Sequence, residues 1–273
     1  MAKAKLRFWG VRGSIPVPAE GYLGYGGNTP CIEVRVGPTI LIIDAGTGAR
    51  RLGMRLEGEF PGKGLDLNLL FTHFHWDHIQ GLPFFPPLFA AGNRITFYSC
   101  QPEEELRKVL EEEMSHPHFP VDFELLAAKR EFVDISARPL RAEGLEVKAF
   151  PLNHPQDASG YRIEANGVVI THASDFEHGN PQLDSTLREY ARDADLLIYD
   201  AQYTPEEYAL KKGWGHSTWL EATRVARDSN VKRLLLFHHD PERDDEQVRR
   251  IVAEARQHFK NTDAAAEGLD IIF

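Results

Sequence analysis

Cysteine is scarce in this chain, with only Cys31 and Cys100 among 273 residues. Two lone thiols make no disulfide framework, which excludes the small stapled scaffolds of secreted proteins and fits a reducing, cytoplasmic setting. Long hydrophobic runs are missing as well. No stretch approaches the roughly 18 apolar residues that a membrane span needs, and the opening MAKAKLRFWG turns polar and glycine-rich too soon for a signal peptide. Positive charge is in deficit: 31 Lys and Arg stand against 41 Asp and Glu, a net charge of −10. That argues against a sequence-wide electrostatic footprint for nucleic acid, leaving room only for a local basic patch. Repeats, low-complexity blocks and long linkers are also lacking, so residues 1–273 are expected to form a single domain.

What is present reads as an ordinary globular protein, 42% hydrophobic and 26% charged. Strands are expected over 5–10, 31–36, 39–44, 67–71, 145–152, 194–200 and 231–240. In 31–36, Ile32, Val34 and Val36 alternate with Glu33 and Arg35, the period of a strand with one wet face. The runs 39–44 and 67–71 are almost wholly apolar, as in strands covered on both faces. Asn166-Gly167 suits a type I′ turn joining two strands. Helices are expected over 102–114, over 218–228 behind a Thr218/Glu221 capping box, and over 242–259, where Val248, Ile251, Val252, Ala255 and Phe259 share a face. A short helix is expected between residues 48 and 60 and a short strand in the closing LDIIF. Residues 111–126 read as a loop over a pocket. Sheets with helices packed outside, an α/β layered architecture, follow from this order.

The chemistry is concentrated in histidine, of which there are 12. In LNLLFTHFHWDHIQG, His73, His75, Asp77 and His78 fall within six residues after a buried strand. Residues two apart on extended backbone project to one side, so His73 and His75 would face one point; Asp77 and His78, past the turn, would face a second close by. Two neighbouring metal positions fit this spacing better than one, and imidazole with carboxylate suits zinc while tolerating manganese or iron. Further candidates recur at strand exits: His154, then His172 and Asp175, then His238, His239 and Asp240. Loops at one edge of layered sheets are where such sites are built.

With these residues in view, the chain resembles the metallo-β-lactamase fold, whose H-x-H-x-D-H signature is similar to THFHWDH. Asp44 precedes it and His154, Asp175 and His238 follow in order, so the resemblance runs from about residue 5 to the end. It implies a four-layer α-β-β-α sandwich with two divalent metal ions at one edge, most simply zinc, with manganese or iron as alternatives. His73, His75 and His154 would hold one metal; Asp77, His78 and His238 the other; Asp175 would bridge both, together with a hydroxide. A slip to His239 in place of His238 stays open. GHST, with His216, resembles the histidine motif of the phosphodiesterase branch, which includes the tRNA 3′-processing endonucleases and small cyclic-phosphodiester hydrolases. Asp77 and His216 are the catalytic candidates, and His216 precedes a helix from which it could stabilise charge or protonate a leaving alkoxide. Asp44 and Asp200 would hold ligand imidazoles through their other nitrogens.

Only 21 positions separate His154 from Asp175, too few for the protruding arm with which the tRNA endonucleases grip RNA. The leading expectation is therefore a metal-dependent phosphodiesterase acting on a small cyclic phosphodiester or cyclic nucleotide. Nucleic acid is not expected as a partner; a homodimer stays open because a related branch often dimerises. An RNA-processing nuclease of the same branch is the alternative, followed by a thioester or lactone hydrolase and, last, a non-catalytic metal-binding module. Asn28 and Thr29 either line the pocket or form a plain turn. His116 and His118 either reach substrate from a lid or face solvent. His172 is expected just behind the site, and His178 and His258 at the surface.

Overall fold

The computed structural model describes residues 4–273; the first three residues of the stretch read above for a leader lie outside the described residues. Two seven-stranded sheets carry the fold. In the first, β1 (Lys5–Gly10), β2 (Cys31–Val36), β3 (Thr39–Ile43), β4 (Asp66–Leu70), β5 (Arg94–Ser99) and β6 (Lys129–Asp134) lie side by side in chain order, with β14 (Asp270–Ile272) beyond β1. The second runs through β7 (Leu140–Ala142), β8 (Leu145–Leu152), β9 (Ala158–Ala165), β10 (Val168–Ala173), β11 (Leu196–Asp200), β12 (Leu234–Phe237) and β13 (Thr262–Ala264). The longer helices are α1 (Gly48–Glu59), α3 (Glu103–Glu113), α4 (Pro181–Ala191), α6 (Trp219–Asp228) and α7 (Asp245–His258), with the short α2 (Trp76–Ile79) and α5 (Pro205–Leu210) between.

Three buried clusters define four layers. Between the sheets, Leu41 and Ile43 of β3 meet Ile198 of β11 and Phe237 of β12. On the outer face of the first sheet, Ile40 and Ile42 pack with Leu52 and Leu56 of α1 and Leu106 and Leu110 of α3. On the outer face of the second, Leu197, Leu234 and Leu236 pack with Leu187, Ala222, Val248 and Val252 of α4, α6 and α7. The continuous apolar runs are buried on both sides because a helix layer covers what the partner sheet does not. This is the expected α-β-β-α sandwich.

One strand departs from expectation. The alternation in β2 suggested a wet face, yet Glu33 is buried. Its carboxylate accepts from Trp9 Nε1 at 2.9 Å and pairs with Arg35, whose Nη2 reaches Glu59 of α1 at 2.9 Å. The helix roofs this face, and a paired carboxylate tolerates that cover.

In each sheet an antiparallel portion adjoins a parallel one: β3 to β6 and β10 to β13 are parallel. The exits of β3, β4, β8, β10, β11 and β12 deliver residues of the site. The β9–β10 hairpin closes on Asn166 and Gly167, both at positive φ (49° and 82°), the I′ geometry expected.

Candidate metal centre

Strand β4 ends at Leu70, so the HxHxDH segment lies beyond the ladder. The Asp44 carboxylate takes over there: it accepts from Thr72 N at 2.8 Å and from Thr72 Oγ1 at 2.9 Å, while Asp44 N donates to Leu70 O. His75 is still extended (ψ 150°), and the single turn α2 then lifts Asp77 and His78 to a second level. The split inferred from spacing is present in space.

His73, His75 and His154 offer nitrogens within 4.8 Å of one another, and Asp77, His78 and His238 form a second such trio. Asp175 sits between. Its Oδ1 lies 4.0 Å from the Nε2 atoms of both His73 and His154 and 3.3 Å from His238 Nε2, and its Oδ2 lies 3.3 Å from His78 Nε2. His239 turns away, its Nε2 donating to Ala265 O at 2.9 Å; burial beside Arg12 pulls it down to about 3. Of the two neighbours, His238 is the one in the cleft.

Hydrogen bonds fix which nitrogen of each ring faces inward. His78 Nδ1 donates to Asp44 Oδ2 at 2.8 Å, His154 Nδ1 to Gly215 O at 2.8 Å, and His238 Nδ1 to Gln202 Oε1 at 2.9 Å. Each bond pins the tautomer and leaves Nε2 as a lone pair toward the gap. His75 is reversed: Nε2 donates to Gln156 Oε1, and Nδ1 lies 3.2 Å from His154 Nε2. Two facing lone pairs at that range need a cation between them. The Nε2 atoms of His73 and His78 are buried with no hydrogen-bond partner, a costly arrangement unless they ligate. Burial acts to raise the carboxyls of Asp77 and Asp175, but His78 and His238 hold both well below the usual carboxylate range. The donor set fits two divalent cations.

His216 lines the same cleft as Asp77, Asp175 and His238. Its Nδ1 donates to Asp200 Oδ2 at 2.8 Å, and its ring stacks 4.9 Å from that of His238. Burial would lower it, but Asp200, Asp175 and Asp77 together raise it to about 9. Asp200 also accepts from Asp175 N, Gln202 N and Ser217 N, a fully used carboxylate. Asp77, the other catalytic candidate, accepts from Ser14 N at 2.8 Å on the same oxygen that lies 3.2 Å from the His238 Nε2 lone pair, so both face the gap as acceptors.

Some expected residues lie elsewhere. Asn28 and Thr29 brace the turn after β3: Thr29 Oγ1 accepts from Thr47 N at 2.8 Å, and Asn28 Oδ1 from Thr47 Oγ1 at 3.0 Å. His118 lines a groove beside the cleft, whereas His116 does not. His172 is buried beneath the site with both nitrogens unpartnered, held neutral by burial at about 4. His178 donates to or accepts from Ser217 Oγ at 2.8 Å and is half-buried rather than a surface residue. The Thr218/Glu221 box is half formed: Thr218 accepts from Glu221 N, but the Glu221 carboxylate pairs with Arg188 and Arg224 instead.

Several contributors were missed. Glu177 accepts from Gly213 N (2.7 Å) and Gly215 N (2.8 Å) while its backbone bonds Asn153, tying the GHST loop to the His154 loop. Gly13 lies where a Cβ would come 2.5 Å from His238 Nδ1, and Gly215, at φ +86°, where one would come 2.3 Å from His154 Nδ1. Asp44, Asp175 and His238 all adopt left-handed backbone, with φ of 60°, 60° and 59°. Residues other than glycine hold that conformation at a cost and cluster at functional sites.

Residues 39–239 match the model of the Beta-lactamase superfamily domain. Ribonuclease Z of Archaeoglobus fulgidus is 27% identical across 98% of this chain and 97% of its own length. That alignment spans 317 positions, 44 more than this chain holds. Among solved structures, the metallo-beta-lactamase fold protein YhfI from Bacillus subtilis superposes with a TM-score of 0.76 at 17% identity, covering 99% of both chains. A diphosphatase from the PhnP family gives 0.73 at 22%, covering 99% of this chain and 98% of its own. The expectation that nucleic acid is no partner is overturned by the end-to-end match to a protein named as a ribonuclease. A net charge of −10 is a sum over the whole surface, and it does not describe the field at a cleft where cations gather. Among the described residues no helix is long and apolar enough to cross a membrane.

Proposed function

This chain belongs to the beta-lactamase superfamily, and from that premise we propose that it is a metal-dependent phosphodiesterase that hydrolyses RNA. The observation that carries the reaction class is the all-histidine trio and the His/Asp trio with Asp175 between them, and His216 Nδ1 3.8 Å from Asp175 Oδ1. The near full-length relationship to Ribonuclease Z supports RNA as the substrate. His73, His75 and His154 would hold one cation, and Asp77, His78 and His238 the other, with Asp175 between. Zinc suits this imidazole-rich set, with manganese or iron able to replace it. Divalent cations bound there supply Lewis acidity and an acidified water.

The chain's own residues do the rest. Asp44, Gly215 O and Gln202 orient the imidazoles, so that no ring must turn when substrate arrives. His216, pinned through Nδ1 by Asp200, presents Nε2 to the cleft as a proton carrier for the leaving oxygen. Asp77 is held by Ser14 N–H, which fixes it against the turn from the first sheet. We read residues 1–273 as one such domain, and the free thiols Cys31 and Cys100 as suited to the cytoplasm.

A second reading, hydrolysis of a small phosphodiester, is favoured by the tight β9–β10 hairpin, which leaves no arm between His154 and Asp175. The test is to load the protein with zinc or manganese and assay 3′-extended RNA, cyclic nucleotides and bis-p-nitrophenyl phosphate in parallel. RNA cleavage at least as efficient as that of the small diesters is expected. Turnover of small diesters alone would replace the first reading by the second, and no phosphodiester turnover at all would refute both.

A further inference from the structure

Trp76 stands between two residues of the metal centre, His75 and Asp77, yet 76% of it is exposed. Burying an indole normally contributes a large stabilisation, so an exposed one beside a reactive centre marks a binding surface. Trp76 and Phe74 line the metal cleft, and the same two side chains line an adjoining groove of about 450 Å³. Phe84, 56% exposed, and Phe119 form its wall, their rings edge to face with centroids 5.6 Å apart. The groove is therefore continuous with the place where a scissile phosphate would sit.

Its charge limits what can enter. Glu112 and Glu113 stand at its rim, and no Lys or Arg is among the residues lining it. A phosphate would be repelled there, whereas a nucleobase offers a π-face to the aromatic wall and ring amines to the carboxylates. We propose that this groove is the subsite for one nucleobase of the substrate, the base adjacent to the scissile phosphate, stacked on Trp76 and Phe84. The assignment rests on the RNA reading above and extends it: stacking on an aromatic face accepts any base, so the contact supplies affinity and register more than sequence choice.

The test is calorimetric titration of the metal-loaded protein with adenosine 5′-monophosphate and with ribose 5-phosphate, which differ only in the base. The nucleotide should bind the unaltered protein about tenfold more tightly or better, the gain expected of one base stacked on an aromatic ring. In W76A, and in F84A, which lies outside the motif, that gap should close to within about twofold while ribose 5-phosphate binds as before. Equal affinity for the two probes in the unaltered protein, no measurable nucleotide binding, or a gap that survives both substitutions would overturn the subsite. Cleavage of RNA decides the other question independently. A base-dependent gap without RNA cleavage would leave the groove and remove the RNA reading; RNA cleavage without a gap would do the reverse.

Discussion

Replacing Glu177 with glutamine keeps the heavy-atom count and removes one charge, and it probes how the His154 and His216 loops are held together. In the native arrangement the carboxylate accepts from Gly213 N, Gly215 N and Tyr208 OH, at 2.7, 2.8 and 3.1 Å. Gly215 in turn gives its carbonyl to His154 Nδ1, and the next residue is His216. A glutamine can satisfy one amide with its oxygen, but its NH₂ then meets the other amide donor to donor. Hydrogen bonds to a charged acceptor are worth about 1.5–3 kcal/mol each. Glu177 is only half-buried, so the lower end applies, and losing one bond while weakening another should cost about 2 kcal/mol. Urea unfolding of the metal-loaded protein should show this as a lower midpoint with an unchanged slope. Because the His154 and His216 loops both lean on this carboxylate, kcat should fall about tenfold or more, with KM less affected. A variant as stable and as active as the parent would refute the clamp. One that loses stability but keeps full kcat would show that Glu177 supports the fold without positioning either histidine.

H216A should retain both cations by elemental analysis but lose about 10²–10⁴ in turnover of phosphodiesters, the span of a lost general acid; undiminished turnover would refute His216 as the proton carrier. H238A should bind one cation fewer per chain than the parent, whereas H239Q should keep the stoichiometry and lose about 1–3 kcal/mol of stability through its buried contact with Ala265 O; the opposite pattern would move the ligand by one residue. Stripping cations with a chelator should lower Tm strongly. Ligands present at about a thousandfold over Kd stabilise a fold by about 4 kcal/mol, so a drop on the order of 10 °C is expected in a thermal scan, and an unchanged Tm would refute cation binding by the trios.

Much of the centre was legible because its chemistry is written in rare residues at strand exits. His73, His75, Asp77, His78, His154, Asp175 and His238 all come together, and Asp44 holds the ligand imidazole of His78 as expected, whereas Asp200 holds His216 instead of a ligand. Glu177 carried no signal: it is one glutamate among many, and its role is set by two backbone amides far along the chain. Gly13 and Gly215 matter through what a Cβ would strike, which no spacing reveals. The missed elements have local reasons. In β6 the exposed Lys129 and Glu131 mask the strand, and in α4 only Leu187 and Ala191 are buried, too few to mark a face. The capping box at Asp244 and Gln247 sets the start of α7 at Asp245 rather than three residues earlier. Net charge misled most, because it averages a surface whose relevant part is one cleft.

The left-handed turns at Asp44, Asp175 and His238 bear on any attempt to move this chemistry to another scaffold. Each sits where a strand of a parallel ladder would otherwise run straight on, and each redirects the chain by a backbone rotation that a side-chain rotamer cannot imitate. A designer who copied only the seven His and Asp side chains onto the strand ends of a regular sandwich would place them on the wrong vectors. The portable unit is the strand exit with its kink and its hydrogen-bonded partner, three times over, and the side chains are the last part to be grafted.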